Sequence, residues 1–164
     1  MNASLVTYAK PRLGAALPSL ACDAPWFEHA PPDETSLRGR AVVVHFFSSN
    51  CPLCDEGARH IARWVADYAA TGLVVIGAFQ PRRDAVSTSA DAMAECERYC
   101  RIARHPCAAD APGELSARFG NEWWPAYFVY DAAHRLRHYQ MGNEDMSRLD
   151  AVVRQCAVSA APRG

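Results

Sequence analysis

Two cysteines separated by two residues, Cys51 and Cys54, are the residues of this sequence best suited to chemistry. The apolar run 41–47 that precedes them predicts a buried strand, and a helical pattern begins directly after Cys51. Cys51 is therefore expected at a helix N-terminus, where unpaired N–H groups and the helix dipole stabilise a thiolate. Cysteines in Cys-x-x-Cys motifs have pKa values lowered from about 8.5 to roughly 3.5–7.5. This pattern favours a reversible thiol–disulfide pair.

The same spacing also permits metal binding, because Cys-x-x-Cys occurs as half of many zinc sites and thiolates select Cu(I) and Zn(II). A metal (copper) chaperone that uses the two cysteines and a histidine is therefore an alternative function. A thiol peroxidase is less favoured, since it needs a Pro-x3-Thr-x2-Cys arrangement in which Val44 and Ser48 here replace the proline and the threonine. The strand before the cysteines and the helix after them favour redox exchange, with no metal or other cofactor.

The sequence contains seven cysteines, so at least one thiol is unpaired unless it bonds another chain. Cys96 and Cys100 share one face of a predicted helix, and with His105 and Cys107 they form a C-x3-C-x4-H-x-C string. The string is compatible with a metal site or a second redox pair. Because free cysteine is among the most buried residue types, we expect Cys96 and Cys100 to be reduced, buried and free of metal. The other two cysteines are expected to be a bystander and a core residue, Cys22 and Cys156 respectively.

The composition is that of an ordinary globular protein, with 164 residues of which 50% are hydrophobic and 21% charged. The net charge of −1 gives no indication of a nucleic-acid partner. No apolar run is long enough to span a membrane. The first 20 residues lack the continuous apolar core of a signal peptide, so a cytoplasmic protein is expected from the sequence as given. If the chain begins after a removed signal, a periplasmic or exported location is expected instead.

Periodicity predicts the elements that position the cysteines. A strand, a helix and a second strand joined by short connections form a right-handed parallel unit. We expect an extended N-terminal segment (1–36) anchored by Trp26 and Phe27, a domain at 37–158 and a tail at 159–164. The elements expected in the domain are strands at 41–47, 73–79, 125–130 and 135–141, an extended piece at 106–109, helices at 52–70, 90–104 and 144–156, a short helix within 112–120, and a loop at 80–89. The helix at 52–70 is expected to bury Ala58, Ile61, Ala62, Val65, Tyr68 and Ala69.

This layout resembles the thioredoxin-like proteins of the TlpA/ResA/DipZ type, the redoxin and AhpC/TSA-like group. The resemblance covers roughly residues 14–156, and it implies an α/β thioredoxin-like fold with a central mixed β-sheet flanked by helices on both faces. It also implies a thiol-disulfide oxidoreductase of electron transport and cell redox homeostasis, with protein thiols or disulfides as substrates and an upstream redox partner. Four motifs carry it: Leu-Arg-Gly-Arg at 37–40, Phe-Phe-Ser-Ser-Asn-Cys-Pro-Leu-Cys at 46–54, Gly-Leu-Val-Val-Ile-Gly at 72–77, and Phe-Gly-Asn-Glu-Trp-Trp-Pro-Ala-Tyr-Phe-Val-Tyr-Asp at 119–131.

The resemblance also implies roles for individual residues. Cys51 corresponds to the attacking thiolate and Cys54 to the resolving thiol. Pro125 matches the cis-proline that faces the disulfide, so we expect a cis Trp124–Pro125 bond within van der Waals reach of the Cys51 sulfur. The backbone of Trp124 is then expected to pair with an extended substrate segment. Two neighbours of Cys51 complete the expected substrate-binding set: Asn50 and Pro52.

His45 is the clearest departure from the family pattern, which has a buried aspartate six residues before the attacking cysteine. Strand alternation places His45 on the same side as Phe47 and Ser49, under the Cys-x-x-Cys turn. Neutral imidazole can accept a proton, and its unperturbed pKa of about 6.5 is close to the working pH. We therefore hypothesise that His45 is a catalytic residue that accepts the proton of Cys54. The alternative is a core histidine hydrogen-bonded to the backbone.

Overall fold

The computed structural model describes residues 10–81 and 89–160. Its strands lie in one six-stranded sheet in the order β1-β4-β3-β2-β5-β6. The strands are β1 (Trp26–Phe27), β2 (Val42–Ser48), β3 (Val74–Gln80), β4 (Cys107–Ala109), β5 (Ala126–Tyr130) and β6 (Leu136–Met141). The helices are α1 (Pro52–Asp67), α2 (Ser89–Ala103), α3 (Glu114–Phe119) and α4 (Met146–Ala160), with a 3₁₀ turn at Ala69–Thr71.

The sheet is mixed, as predicted. Strands β2, β3 and β4 are parallel to one another, while β5 is antiparallel to β2, β6 to β5 and β1 to β4. All seven residues of β2 are buried, because this strand lies in the middle of the sheet with both faces covered. A continuous run of Val and Phe is typical of such a strand. The Cys-x-x-Cys turn therefore begins at the carboxyl end of a central, buried strand.

Helices cover both faces of the sheet, which confirms the predicted α/β thioredoxin-like class. Residues of α1, α2 and α4 pack with alternate residues of β2 such as Val43 and Phe47 on one face. The opposite face packs Val44 and Phe46 against α3 and against Leu20 and other residues that precede β2. None of the helices in residues 10–81 and 89–160 is long and apolar enough to cross a membrane.

The expected elements match the observed ones within a few residues, and most of the predicted loop 80–89 lies outside the described residues. The buried face of α1 differs from the predicted one. Trp64 is 3% exposed, whereas Ala62 and Val65 are only partly buried and Ala69 is exposed. The reason is α4, whose Asp150 Oδ1 accepts a hydrogen bond from Trp64 Nε1 at 2.8 Å. That bond allows the indole to be buried against α4 with its polar atom satisfied.

Gly57, on the buried side of α1, is predicted to be intolerant of a side chain. A Cβ at this position would collide with Tyr127 Oη, which donates a hydrogen bond to Asn143 Oδ1 at 2.9 Å. Alanine favours a helix by about 1 kcal/mol over glycine, but overpacking a buried ring costs about 1–3 kcal/mol. We therefore expect Gly57→Ala to lower the free energy of unfolding by up to about 2 kcal/mol, measured by urea denaturation.

The matched control for this prediction is the same substitution in a Tyr127→Phe background. Removing the hydroxyl leaves the ring carbon Cζ as the nearest atom, at 3.2 Å. The cost of Gly57→Ala should then largely disappear. An equal loss of stability in both backgrounds would show that the hydroxyl is not the obstacle.

Candidate active site

Cys51 and Cys54 form a disulfide, with their Cα atoms 5.2 Å apart. Cys51 is the N-cap of α1 and has an extended backbone, while Pro52 occupies the start of the helix. The amide N–H of Cys54 donates to Cys51 Sγ at 3.2 Å. In the reduced protein the same N–H can donate to a Cys51 thiolate, and hydrogen bonds to an ionised acceptor are the stronger kind. Cys51 is partly exposed and Cys54 is 1% exposed, so Cys51 is the more accessible of the two, as predicted.

Helix α2 holds the Cys-x-x-Cys turn from both ends. At the start of the turn, Asn50 adopts a left-handed conformation (φ 49°), and its amide N–H donates to Glu95 Oε1 at 3.1 Å. At the other end, Tyr99 Oη donates to the backbone oxygen of Cys54 at 3.3 Å. The Tyr99 ring also stacks on Phe47 with a centroid distance of 3.9 Å. Sequence reasoning missed Glu95 and Tyr99, although Tyr99 lies three residues after Cys96 on the predicted inward face.

The Trp124–Pro125 peptide bond is cis, as predicted. Two hydrogen bonds made by the adjacent residues 142 and 143 link the cis peptide to the Cys-x-x-Cys turn. Gly142 N donates to the Pro125 oxygen at 2.8 Å, and Asn143 Nδ2 donates to the Leu53 oxygen at 2.8 Å. The segment thereby places the start of β5 beside the first turn of α1. Van der Waals contact between Pro125 and the Cys51 sulfur stays a prediction.

Large apolar side chains remain exposed within the motif and in the segments next to Trp124 and Gly142 in sequence. Leu53, inside the motif, is 50% exposed, Trp123 is 61% exposed and Met141 is 43% exposed. Trp124 is partly buried and packs against the same core cluster as Cys51. Of the three other residues of the predicted substrate-binding set, Asn50 and Pro52 are exposed and Pro125 is buried. Leu53 is therefore an exposed apolar side chain between the two cysteines in sequence, where it can contact another protein.

His45 lies in the middle of β2, is 1% exposed, and faces His105 with 3.1 Å between the two Nε2 atoms. His45 Nε2 thus has a second histidine as its partner, and the buried core position that the alternative expected is observed. The proton-acceptor role toward Cys54 stays a prediction. Burial lowers the pKa of His105 to about 4. Burial, followed by repulsion from His105, holds the pKa of His45 well below its usual value. Both rings are therefore neutral at neutral pH.

The expectation that Cys100 is reduced is wrong, because Cys100 forms a disulfide with Cys107. The chain reverses at Arg104, which adopts a left-handed conformation (φ 57°), and β4 then pairs with β3 so that Cys107 lies opposite Gly77. This reversal brings Cys107 beneath the last turn of α2. Helical spacing alone described the relation of Cys100 to Cys96 and gave no information on this longer-range contact. Cys96 is free and buried, as predicted.

Glu95 is predicted to modulate the reactivity of Cys51. Its carboxylate accepts from the residue directly before Cys51, so its negative charge disfavours a Cys51 thiolate. Glu95→Gln keeps an oxygen acceptor for Asn50 N and removes the charge. We expect the pKa of the Cys51 thiol to fall by a few tenths of a unit, equivalent to about 0.2–1 kcal/mol, measured by thiolate absorbance against pH. Glu97→Gln is the matched control, since Glu97 pairs with Arg101 instead; equal shifts in both variants would contradict the prediction.

The strand order and the disulfide at the N-terminus of α1 define a thioredoxin-fold protein. The Redoxin family model matches residues 29–153, and the chain belongs to the Redoxin family. It is 30% identical over 132 residues to protein DipZ of Mycobacterium tuberculosis (strain CDC 1551 / Oshkosh). The matched region covers 80% of this chain and 19% of DipZ. The chain thus spans about a fifth of the length of that relative. It is 27% identical over 143 residues to thiol-disulfide oxidoreductase YkuV of Bacillus subtilis (strain 168), covering 85% of this chain and 92% of YkuV.

Solved structures share the fold. A thioredoxin-like protein in its oxidised form, determined in solution, superimposes with a TM-score of 0.75 at 24% identity, covering 91% of this chain and 99% of the other. A thiol-disulfide isomerase from Corynebacterium glutamicum superimposes with a TM-score of 0.70 at 23% identity, covering 85% and 96%. At these identities the likeness establishes the thioredoxin-like fold alone.

Proposed function

We propose that this chain exchanges its Cys51–Cys54 dithiol/disulfide pair with cysteine pairs of partner proteins. The observation that carries the proposal is the position of the pair. Cys51 caps α1 and accepts the Cys54 N–H at its sulfur, so the helix terminus stabilises the thiolate form of Cys51. A thiol of lowered pKa is both an attacking nucleophile at neutral pH and a good leaving group.

Exchange proceeds in two steps that balance in electrons. In the reducing direction the Cys51 thiolate attacks one sulfur of a substrate disulfide, forms a mixed disulfide and releases the other substrate sulfur as a thiolate. Cys54 then loses its proton and attacks Cys51 Sγ, which frees the second substrate sulfur. Two electrons pass from the cysteine pair to the substrate, and Cys51–Cys54 becomes a disulfide. The oxidising direction is the reverse of these steps, and an upstream redox partner restores the starting form.

Substrate recognition is supported by the exposed surface around the motif. An extended substrate segment can pair along the backbone at Trp124, a mode in which main-chain hydrogen bonds give affinity and side-chain contacts give specificity. Leu53 supplies an exposed apolar contact within the motif, and Trp123 is exposed directly before Trp124 in sequence. Asn50 and Pro52 lie on the exposed side of Cys51, where a protein substrate must approach.

The experiment that tests this function is catalysis of insulin reduction by dithiothreitol. Wild-type protein should accelerate the reaction at catalytic concentration, and so should Cys156→Ser, which removes a buried free thiol outside the motif. Metal analysis of the freshly reduced protein in the same preparation separates exchange from metal transport. Stoichiometric copper or zinc without catalysis would overturn the proposal in favour of a metal chaperone.

A further inference from the structure

Four side chains that the exchange at Cys51–Cys54 does not use meet in one buried cluster between α2 and the sheet. They are Cys96, Cys100, Cys107 and His105, each at most 2% exposed. Gly77 of β3 makes room for them, since a Cβ there would lie 2.8 Å from both Cys107 Sγ and His105 Cε1. The cluster therefore occupies space that the sheet leaves open for sulfur and imidazole.

The free thiol of the cluster lies beside one particular sulfur of its disulfide. Cys96 Sγ is 3.9 Å from Cys100 Sγ, on the adjacent turn of α2. In thiol–disulfide exchange the attacked sulfur forms the new bond, and its former partner leaves as a thiolate. An attack by Cys96 on Cys100 would therefore release Cys107.

The sulfur that would leave is the one with a hydrogen-bond donor beside it. His105 Nδ1 lies 3.4 Å from Cys107 Sγ and 3.1 Å from the oxygen of Pro106. A carbonyl oxygen can only accept, so neutral His105 carries its proton on Nδ1. Its Nε2 then accepts from Nε2 of His45, 3.1 Å away. The single Nδ1–H therefore lies within reach of two acceptors, the Pro106 oxygen and Cys107 Sγ. A Cys107 thiolate, as an ionised acceptor, would draw it into a charge-assisted hydrogen bond.

We propose that Cys96, Cys100 and Cys107 form a second, internal thiol–disulfide exchange site whose substrate is the chain's own disulfide. Cys96 loses its proton and attacks Cys100 Sγ. The Cys96–Cys100 bond forms, the Cys100–Cys107 bond breaks, and Cys107 leaves as a thiolate that accepts from His105. The proton released by Cys96 ends on Cys107, so the step needs no external oxidant or reductant. The attacker lies next to Cys100 and the donor next to Cys107, as this direction of exchange requires.

Burial explains why the site is internal. All three sulfurs belong to residues that are fully buried, so a partner protein cannot reach them in the closed fold, whereas Cys96 is already in contact with Cys100. Burial, with a smaller contribution from Glu97, raises the pKa of Cys96 to about 12. The thiolate is therefore rare at neutral pH, which makes the exchange slow and keeps it separate from turnover at Cys51–Cys54.

Trapping with N-ethylmaleimide tests the proposal. Oxidised wild-type protein is incubated with the reagent under native conditions, quenched with acid, digested without reduction and mapped by mass spectrometry. We expect a product with Cys107 alkylated and a Cys96–Cys100 disulfide. Cys96→Ser cannot exchange, so its Cys107 labelling should be at least about tenfold lower. Reduced Cys96→Ser, in which Cys107 is a free thiol, controls for access of the reagent to Cys107. A Cys107 that is labelled in this control but stays unlabelled in oxidised wild type would overturn the proposal, and so would equal labelling in oxidised Cys96→Ser and oxidised wild type.

Two further variants test the individual roles. Reduced Cys107→Ser treated with diamide should acquire a Cys96–Cys100 disulfide, which leaves Cys22 and Cys156 as its two thiols. Four remaining thiols, with Cys96 and Cys100 both reduced in a protein that keeps a cooperative thermal transition, would contradict the exchange. His105→Phe removes the donor and should slow Cys107 labelling about tenfold or more, since hydrogen bonds to charged groups are stronger than those between neutral groups. His105→Asn, whose Nδ2 can replace the ring Nδ1, should restore most of the rate. Equal rates in the Phe and Asn variants would exclude His105 as the donor.

Discussion

Replacing Cys51 by serine should reduce insulin reduction to the uncatalysed background. The serine hydroxyl is not ionised at neutral pH, so even the N–H of residue 54 and the helix terminus cannot make it a competent nucleophile. Cys54 cannot take over the attack, because it is 1% exposed while Cys51 is partly exposed. Turnover in the coupled dithiothreitol assay measures the loss, with Cys156→Ser as the variant that keeps activity.

Cys54→Ser should give a different result from Cys51→Ser. The attack on substrate still occurs, but the mixed disulfide at Cys51 is no longer resolved within the chain. We therefore expect covalent complexes on non-reducing gels, with mass spectrometry locating the linkage at Cys51. Two serine variants that both turn over like wild type would contradict the assignment of attacking and resolving cysteines.

Acid should destabilise the fold through the buried pair His45 and His105. Both pKa values are lowered in the folded protein, to about 4 for His105, whereas an unfolded histidine titrates near 6.5. Below about pH 6.5 the unfolded chain therefore binds more protons than the native one, so stability falls as the pH falls. The loss expected from His105 is about 3 kcal/mol by pH 4, and His45 acts in the same direction.

The double variant His45→Phe/His105→Phe isolates this effect. Removing both rings avoids leaving one without its partner, and the unfolding free energy should then change less between pH 7 and pH 4. Asp110, whose pKa is raised by burial, acts in the opposite direction over the acidic part of this range. Its contribution is common to both proteins and cancels in the difference. Parallel stability curves for wild type and double variant, from urea titrations at several pH values, would show that the histidines do not control the acid response.

Local sequence patterns were sufficient to predict the strands and helices and to place the Cys51–Cys54 pair between β2 and α1. The apolar run before Cys51 predicted β2 to within one residue at each end, since a fully buried central strand carries its own signal. The start of α1 at Pro52 was also predicted, because Pro at the first turn and a cysteine cap are local features. The cis bond at Pro125 followed from the family resemblance and is present in the structure.

Contacts between segments that are distant in sequence could not be predicted from local sequence patterns. The Cys100–Cys107 bond depends on the reversal at Arg104 and on the register of β4 against Gly77. The same register places His105 against His45, a contact spanning 60 residues of sequence. Asn143 joins β5 and the Cys-x-x-Cys turn through its side chain, from a loop whose position is fixed only by the complete sheet. In each case a polar or sulfur group is satisfied by a partner that periodicity does not specify.

The reduction potential of the Cys51–Cys54 pair tests the central claim most directly. Equilibration in redox buffers, followed by differential alkylation and mass spectrometry, measures this pair separately from Cys100–Cys107. An exchange-active pair should show a reversible two-electron transition between about −270 mV, typical of a reductant, and about −120 mV, typical of an oxidant. A potential below about −300 mV, the range of structural disulfides, would show that the pair holds the fold together and does not exchange with substrates.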